Sequence, residues 1–358
     1  MGSNSTKKID YEKIVSEIKK EMSHLSLRMG RVVQEHKDRY IIQAQNDQIT
    51  GELLGNLRYS ASSRLSLPAV GDWVLFQEFD GSSGIIHHVL PRQTILKRKA
   101  VGGKDDFQII AANIDYALIV QAVGRDFSLN RIERYLTICH DSGIVPIVVL
   151  NKIDLASEVE LSEFKKLIQD RFRGVQTLYT STHEPGGLDS LKAVMESKAT
   201  YCMLGSSGVG KSSLINALSG SELFGTREIS ESVQRGKHTT THREIVQLPN
   251  GSFMIDNPGI REVGITDSKK GLELTFHPIQ MLAEDCKFKD CSHQAEVGCA
   301  VLAAIESGAL DPELYENYMK LNREQERFTT SLHERRKKEK QFGKMIKQTM
   351  QEKKKWKR

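Results

Sequence analysis

Thr200–Leu204 is an apolar, β-type run, and it opens directly into Gly205-Ser206-Ser207-Gly208-Val209-Gly210-Lys211-Ser212-Ser213. The pattern G-x-x-x-x-G-K-[ST] is complete. A strand, this turn and then a helix make a phosphate cradle. The glycines let backbone N–H groups wrap an anion, and a helix beginning near Lys211 points its positive end at it. Lys211 is expected to reach the β- and γ-phosphates and to act in catalysis, with Ser212 ligating Mg²⁺. A chain with this turn is committed to an α/β domain with a parallel sheet.

A phosphate cradle does not choose a base. Asn151-Lys152-Ile153-Asp154, after the apolar run 145–150, does. The Asp154 carboxylate suits the N1–H and 2-amino donors of guanine. Adenine offers no such pair and would leave a buried carboxylate unpaired, so this site rejects it strongly. Ser181-Thr182, after Leu178-Tyr179, stands where a second base-contacting loop belongs. Asp256-Asn257-Pro258-Gly259 follows a β-type run about 45 residues past Lys211. Asp256 is expected to hold Mg²⁺ through water, and Gly259 to give its N–H to the γ-phosphate. Between these segments lies Gly236-Lys237-His238-Thr239-Thr240-Thr241. A threonine there, Thr240 by preference, would close over Mg²⁺ when the γ-phosphate is present.

Guanine-nucleotide hydrolases ordinarily run P-loop, switch threonine, D-x-x-G, N-K-x-D. Here N-K-x-D precedes the P-loop by about 50 residues. The pieces can still converge, because joining the old ends and opening the chain elsewhere preserves the sheet.

The flanking segments read differently. Ile9, Ile14, Ile18 and Met22 recur at helical spacing, predicting an N-terminal helix over 9–27. Short β-rich runs at 31–33, 39–43, 73–79 and 84–89 alternate with turn clusters such as Gln45-Asn46-Asp47, predicting a small antiparallel barrel over 28–97. Residues 97–106, rich in Lys and Gly, read as a linker. From 98 to 267 the strand–helix alternation resumes.

Cys286, Cys291, His293 and Cys299 then fall within 14 residues, at the head of a mostly helical region spanning 268–330. Three thiolates and an imidazole suit one tetrahedral Zn²⁺ with no open position, hence a structural site. A fifth cysteine and the odd count argue against a disulfide framework. The net charge of +5 hides an asymmetry: residues 332–358 alone carry +9, leaving −4 elsewhere. That tail, with Trp356 among its lysines, would meet an anionic partner through salt-sensitive contacts. No apolar run approaches the ~18 residues of a membrane span, and the polar N-terminus lacks a signal-peptide core, so a cytoplasmic location is expected.

The permuted order, the β-rich domain before it and the Cys/His cluster after it resemble the ribosome small subunit-dependent GTPase family RsgA, also called YjeQ or YloQ. The likeness rests on Ala112-Asn113-Ile114-Asp115, residues 205–213, 236–241, 256–262 and 286–299. It implies an OB-fold, a circularly permuted GTPase domain and a zinc domain in which all four Cys/His positions match. It also implies GTP hydrolysis to GDP and phosphate, stimulated by the small ribosomal subunit during its late maturation, with subunit and rRNA as partners of a monomer. Asn257 stands where the family usually has Thr or Ser; that position contributes mainly backbone. Residues 1–27 match no motif. On the barrel, Tyr40, Trp73 and Phe76 are the aromatic candidates for stacking bases.

Ile260 occupies the position where Ras-like enzymes carry a water-orienting glutamine. His238 is the candidate to replace it, in line with the family's histidine before its threonine run. A partner that orders residues 230–245 would then accelerate turnover. An rRNA-binding assembly scaffold with a structural or regulatory nucleotide is the competing reading, and stimulated hydrolysis separates the two.

Overall fold

The computed structural model describes residues 9–36, 39–55, 64–99, 107–220, 243–256 and 269–329. They fall into two compact units, one taking in 270–277 and the other beginning again at 278.

The first unit begins with helix α1, Tyr11–Glu21, capped by Asp10, whose carboxylate accepts the Lys13 N–H at 3.1 Å. It is shorter than the 9–27 expected: the helix is capped at Met22, and Leu27 already belongs to a strand. The predicted apolar stripe, Ile14, Ile18 and Met22, packs with Val15 against Leu27, Leu75 and Leu90.

Five strands follow: β1 (Leu27–Glu35), β2 (Tyr40–Ala44), β3 (Asp47–Leu53), β4 (Trp73–Phe79) and β5 (Ser83–Val89). They pair in the order β1-β2-β3-β5-β4, and β4 returns to β1, closing a barrel. All neighbours are antiparallel except β3 and β5. Closure removes the exposed edges and leaves one interior, filled by Val32, Ile42, Ile49, Val74, Phe76 and Ile86. This is the expected OB-type barrel. Strand β3 was not foreseen, because its polar Asp47-Gln48 start hides behind the predicted turn. Tyr40 and Phe76 are buried in the core and are withdrawn as base-stacking candidates.

The expected linker at 97–106 is corrected in its first part. β6 (Ile95–Lys99) pairs with β7 (Phe107–Ala112) in a two-stranded sheet. Leu96 is buried while the Lys97 ammonium lies 5.2 Å from the centre of the Phe107 ring. Lys97 and Lys99, which suggested a linker, are residues of this strand.

The α/β region contributes β8 (Tyr116–Ala122), β9 (Val145–Asn151), β10 (Gln176–Thr180), β11 (Thr200–Leu204), β12 (Arg243–Gln247) and β13 (Phe253–Asp256). Their order is β10-β9-β8-β11-β13-β12; all pairs are parallel except β12 with β13. Helices α2 (Leu129–Ser142), α3 (Glu158–Arg171), α4 (Asp189–Val194) and α5 (Lys211–Ser219) cover it. One face packs on α2 through Ile132 and Leu136, the other on α5 through Leu214, Ile215 and Leu218. The chain moves outward from β8 to β10 on one side and from β11 to β13 on the other. The carboxyl ends of β8 and β11 therefore flank a topological switch point, where such sheets bind ligands. Barrel and α/β sheet are continuous: β1 extends to pair with β12, Gln34 opposite Glu244. Helix α6 (Lys269–Thr275) lies against α2, with the Thr275 hydroxyl 2.9 Å from His140 Nδ1.

The second unit holds α7 (His277–Ala283), a cysteine-bearing loop, α8 (Ala300–Glu306) and α9 (Pro312–Thr329). No helix among the described residues is long and apolar enough to cross a membrane.

Candidate functional site

The glycine-rich turn joins β11 to α5 at the switch point. Gly205, Gly208 and Gly210 have φ of 154°, 86° and 96°. At two of them the reason is space as well as conformation. A Cβ on Gly205 would meet the Val120 carbonyl at 2.5 Å, and one on Gly210 would meet Asn151 Nδ2 at 2.4 Å. Ser207 and Gly208 are exposed at the tip, while Val209 is buried and anchors the loop. Lys211, Ser212 and Ser213 form the first turn of α5, half-buried above the anchors Leu214 and Ile215. The Lys211 ammonium donates to the carbonyls of Gly205, at 2.8 Å, and Ser206, so it lies over the loop whose N–H groups would take phosphate.

The base-side motifs are built onto the same turn. Asn151 closes β9, is 1% exposed, and donates from Nδ2 to the Val209 carbonyl at 2.9 Å. Its Oδ1 accepts the Thr180 hydroxyl at 3.0 Å, at the end of β10. Lys152 takes a left-handed backbone, φ 60°, and starts a single 3₁₀ turn that carries Asp154. The Ser181 hydroxyl donates to Asp154 Oδ1 at 2.6 Å and accepts the His183 N–H at 3.0 Å. Thr182 follows, half-buried. Asn151 thus ties the P-loop to the end of β10 through Thr180, and the next residue, Ser181, holds Asp154.

On the other flank, Asp256 ends β13 beside β11, its backbone opposite Glu244. Thr240, His238 and Gly259, like Asn257 and the basic tail 332–358, lie outside the described residues. Two residues that touch the site were not singled out from sequence. Thr180 was one position from the predicted pair and carried no signal of its own. Arg131, on α2, donates to the Ser206 hydroxyl and no motif marks it. A cavity of about 460 Å³ bordered by Tyr11, Arg31, Trp73, Asn113, Asp115 and Thr200 sits at the opposite, amino ends of β8 and β11 and is separate from this site.

In the second unit the donor atoms of Cys286, Cys291, His293 and Cys299 all lie within 4.8 Å of one another. His293 Nδ1 is 3.6 Å from Cys286 Sγ and 3.4 Å from Cys299 Sγ, and the two sulfurs are 3.9 Å apart. A tetrahedron with Zn–S of about 2.3 Å has edges of about 3.8 Å, so the donor set fits zinc. His293 reaches inward from a left-handed backbone, φ 59°, and the Tyr315 hydroxyl donates to its carbonyl. Burial pushes the Cys286 thiol up, but the N–H groups of Ala300 and Val301, with the neighbouring thiols, outweigh it and bring it below its ordinary value. Glu296 ties the loop together: its carboxylate accepts from the Ser292 hydroxyl, the Ser292 N–H at 2.8 Å and the Ala295 N–H at 3.1 Å, and these bonds hold it well below the usual carboxylate range.

Comparison with known proteins agrees with this geometry. The profile of the RsgA GTPase family matches residues 89–266. The chain is 44% identical over 295 residues to "Small ribosomal subunit biogenesis GTPase RsgA 2" of Listeria monocytogenes serotype 4b (strain F2365), covering 82% of this chain and 83% of that one. It is 40% identical over 335 residues to the RsgA 1 protein of the same description from Bacteroides thetaiotaomicron, covering 93% and 92%. Among solved structures, YjeQ from Thermotoga maritima superposes with a TM-score of 0.61 at 28% identity, covering 82% of this chain and 97% of that one. YloQ, described as a circularly permuted GTPase, gives 0.61 at 24% identity over 86% and 98%, a likeness of fold.

Proposed function

This chain belongs to the RsgA GTPase family, and we infer that it is a GTP hydrolase of small ribosomal subunit biogenesis, working through the site built around Gly205 and Asn151. The observation that carries the reading is the Asn151 carboxamide. One side chain is bonded both to the P-loop carbonyl of Val209 and to the strand that leads to Ser181. Phosphate recognition and base recognition are therefore held in one rigid register, as nucleotide-specific hydrolysis requires.

In this reading the N–H groups of residues 206–212 cradle the phosphates and Lys211 bridges the β- and γ-phosphates. Asp154, held by Ser181, accepts from guanine N1–H and the 2-amino group. Ser212, Asp256 and Thr240 are the residues to hold Mg²⁺, which when bound neutralises charge between the β- and γ-phosphates. Gly259 fixes the γ-phosphate by its N–H, and His238 orients the attacking water. Cys286, Cys291, His293 and Cys299 hold one structural Zn²⁺ that orders the loop of the second unit. The chain acts as a cytoplasmic monomer and meets rRNA with its barrel and basic tail.

The test is GTP turnover with and without purified small ribosomal subunits. Subunits should raise the rate manyfold, and His238→Ala should keep GDP binding while losing that stimulation. Turnover indifferent to subunits would favour the scaffold reading. Equal competition by ATP and GTP for the site would remove the guanine assignment altogether.

A further inference from the structure

Arg131 is a cation at the P-loop that no nucleotide motif accounts for. It stands in the first turn of α2, where the Ser128 hydroxyl caps its N–H at 3.3 Å. Its Nη1 donates to the Asp126 carbonyl at 3.3 Å and to the Ser206 hydroxyl. Among the described residues Nε and Nη2 make no hydrogen bond and no carboxylate pairs with the guanidinium. An uncompensated guanidinium held on a phosphate-binding loop has most of its donor fork to spare.

The end of the nucleotide that it faces follows from its neighbours. The Lys211 ammonium, which in this motif serves the β- and γ-phosphates, donates to the carbonyl of the same residue, Ser206. The base-side anchor, Asn151, grips the other end of the loop at Val209. Helix α2 also packs, through Ile132 and Leu136, in the same cluster as Ile245 of β12 and Ile255 of β13, the strand that ends in Asp256.

We propose that Arg131 is a catalytic arginine supplied in cis, whose free guanidinium nitrogens meet the γ-phosphate of GTP. The proposal rests on the GTPase reading above. In the reaction the water oxygen bonds to Pγ while the bond from Pγ to the β–γ bridging oxygen breaks. That electron pair leaves with GDP, and the water proton ends in solvent or on inorganic phosphate. Negative charge grows on the bridging oxygen and is shared over the γ-oxygens, where a forked donor is most effective. Arg131 supplies charge that the position held by Ile260 cannot.

The experiment uses the full chain and compares wild type with Arg131→Gln, Arg131→Lys and Arg125→Ala. Steady-state GTP turnover is measured with and without small subunits, and GDP binding is measured in parallel, alone and with aluminium fluoride. Arg131→Gln should lower kcat at least about tenfold, toward the range in which arginine fingers act. It should bind GDP within about threefold of wild type, which also reports that it has folded, and lose the tightening by aluminium fluoride. Arg131→Lys should recover part of the rate, keeping charge without the fork. Arg125→Ala removes an exposed charge nearby and should leave turnover unchanged. Unchanged kcat in Arg131→Gln would overturn the proposal, as would equal weakening of GDP and GTP binding, the mark of a loop brace. An equal loss in Arg125→Ala would reduce the effect to net charge and overturn it too. A wild-type chain with no GTP turnover would instead overturn the GTPase reading itself.

Discussion

Asn151 illustrates how one side chain can be chosen by two demands at once. Its amide must donate to a backbone carbonyl and accept from a hydroxyl while 1% exposed, and only a carboxamide of this length does both. Removing its partner is the gentler test. Thr180→Val keeps the shape of the side chain and deletes one buried hydrogen bond, worth about 1 kcal/mol. GDP affinity should weaken roughly fivefold by titration calorimetry, with guanine preference retained. An unchanged affinity would mean that Asn151 is held by Val209 alone. The motif N-K-x-D named Asn151 from sequence, but nothing in sequence marked Thr180 or Arg131. Their roles come from the ends of strands and helices that meet only after folding.

At the scale of elements, α6 and the zinc loop each make a measurable claim. His140, in the last turn of α2, faces Thr275 of α6, and burial holds its imidazole below the ordinary value. The folded state therefore binds fewer protons than the unfolded chain. Stability from this group is complete above the unfolded value near 6.5 and falls as pH drops below it. Thermal melts from pH 7.5 to 5.5 should show a steeper loss of Tm in wild type than in His140→Gln; parallel curves would assign the acid sensitivity elsewhere. In the second unit, four ligands close a loop with few buried apolar residues of its own, so metal binding is folding energy. Elemental analysis should find one zinc per chain. A strong chelator, or Cys291→Ser, should lower it and reduce the cooperativity of unfolding, while GDP binding to the first unit persists. Hydrophobic period marked α1 in advance and the P-loop motif marked α5, whereas α3 was not foreseen although Ser157 and Glu160 form a capping box at its start. The strands β3 and β6 were harder, because polar and charged residues outnumber the large apolar ones in each.

Across the whole first unit, the barrel and the nucleotide-binding sheet share one set of hydrogen bonds. Arg31 of β1 donates to the carbonyls of Gly71 and Asn113 at 3.4 and 3.3 Å, and to the Thr200 hydroxyl at 2.8 Å. Its guanidinium also lies 5.5 Å from the Trp73 ring and 5.3 Å from the Phe253 ring. Burial lowers it to about 10, so it stays charged at neutral pH. Thr200 begins the five-residue strand that ends at the P-loop, and β1 pairs with β12 at its other end. Truncation by Arg31→Ala leaves buried acceptors without a donor and should cost about 3 kcal/mol. Denaturant melts should show that loss. Subunit-stimulated turnover should fall more than GDP affinity, because the barrel would no longer be pinned to the strand carrying the P-loop. A stable variant with normal stimulation would show that β1–β12 pairing alone carries the coupling.

The sequence by itself determined the chemistry. The P-loop, N-K-x-D and the Cys/His set are local patterns whose spacing follows from backbone geometry around a phosphate, a base edge and a metal, so they are legible without a fold. Their permuted order was legible too. Which residues brace them was decided only by tertiary structure. Thr180, Arg131 and Arg31 lie 29, 75 and 169 positions from the groups they hold, and no local pattern can encode a hydrogen bond that exists only after the sheet has closed.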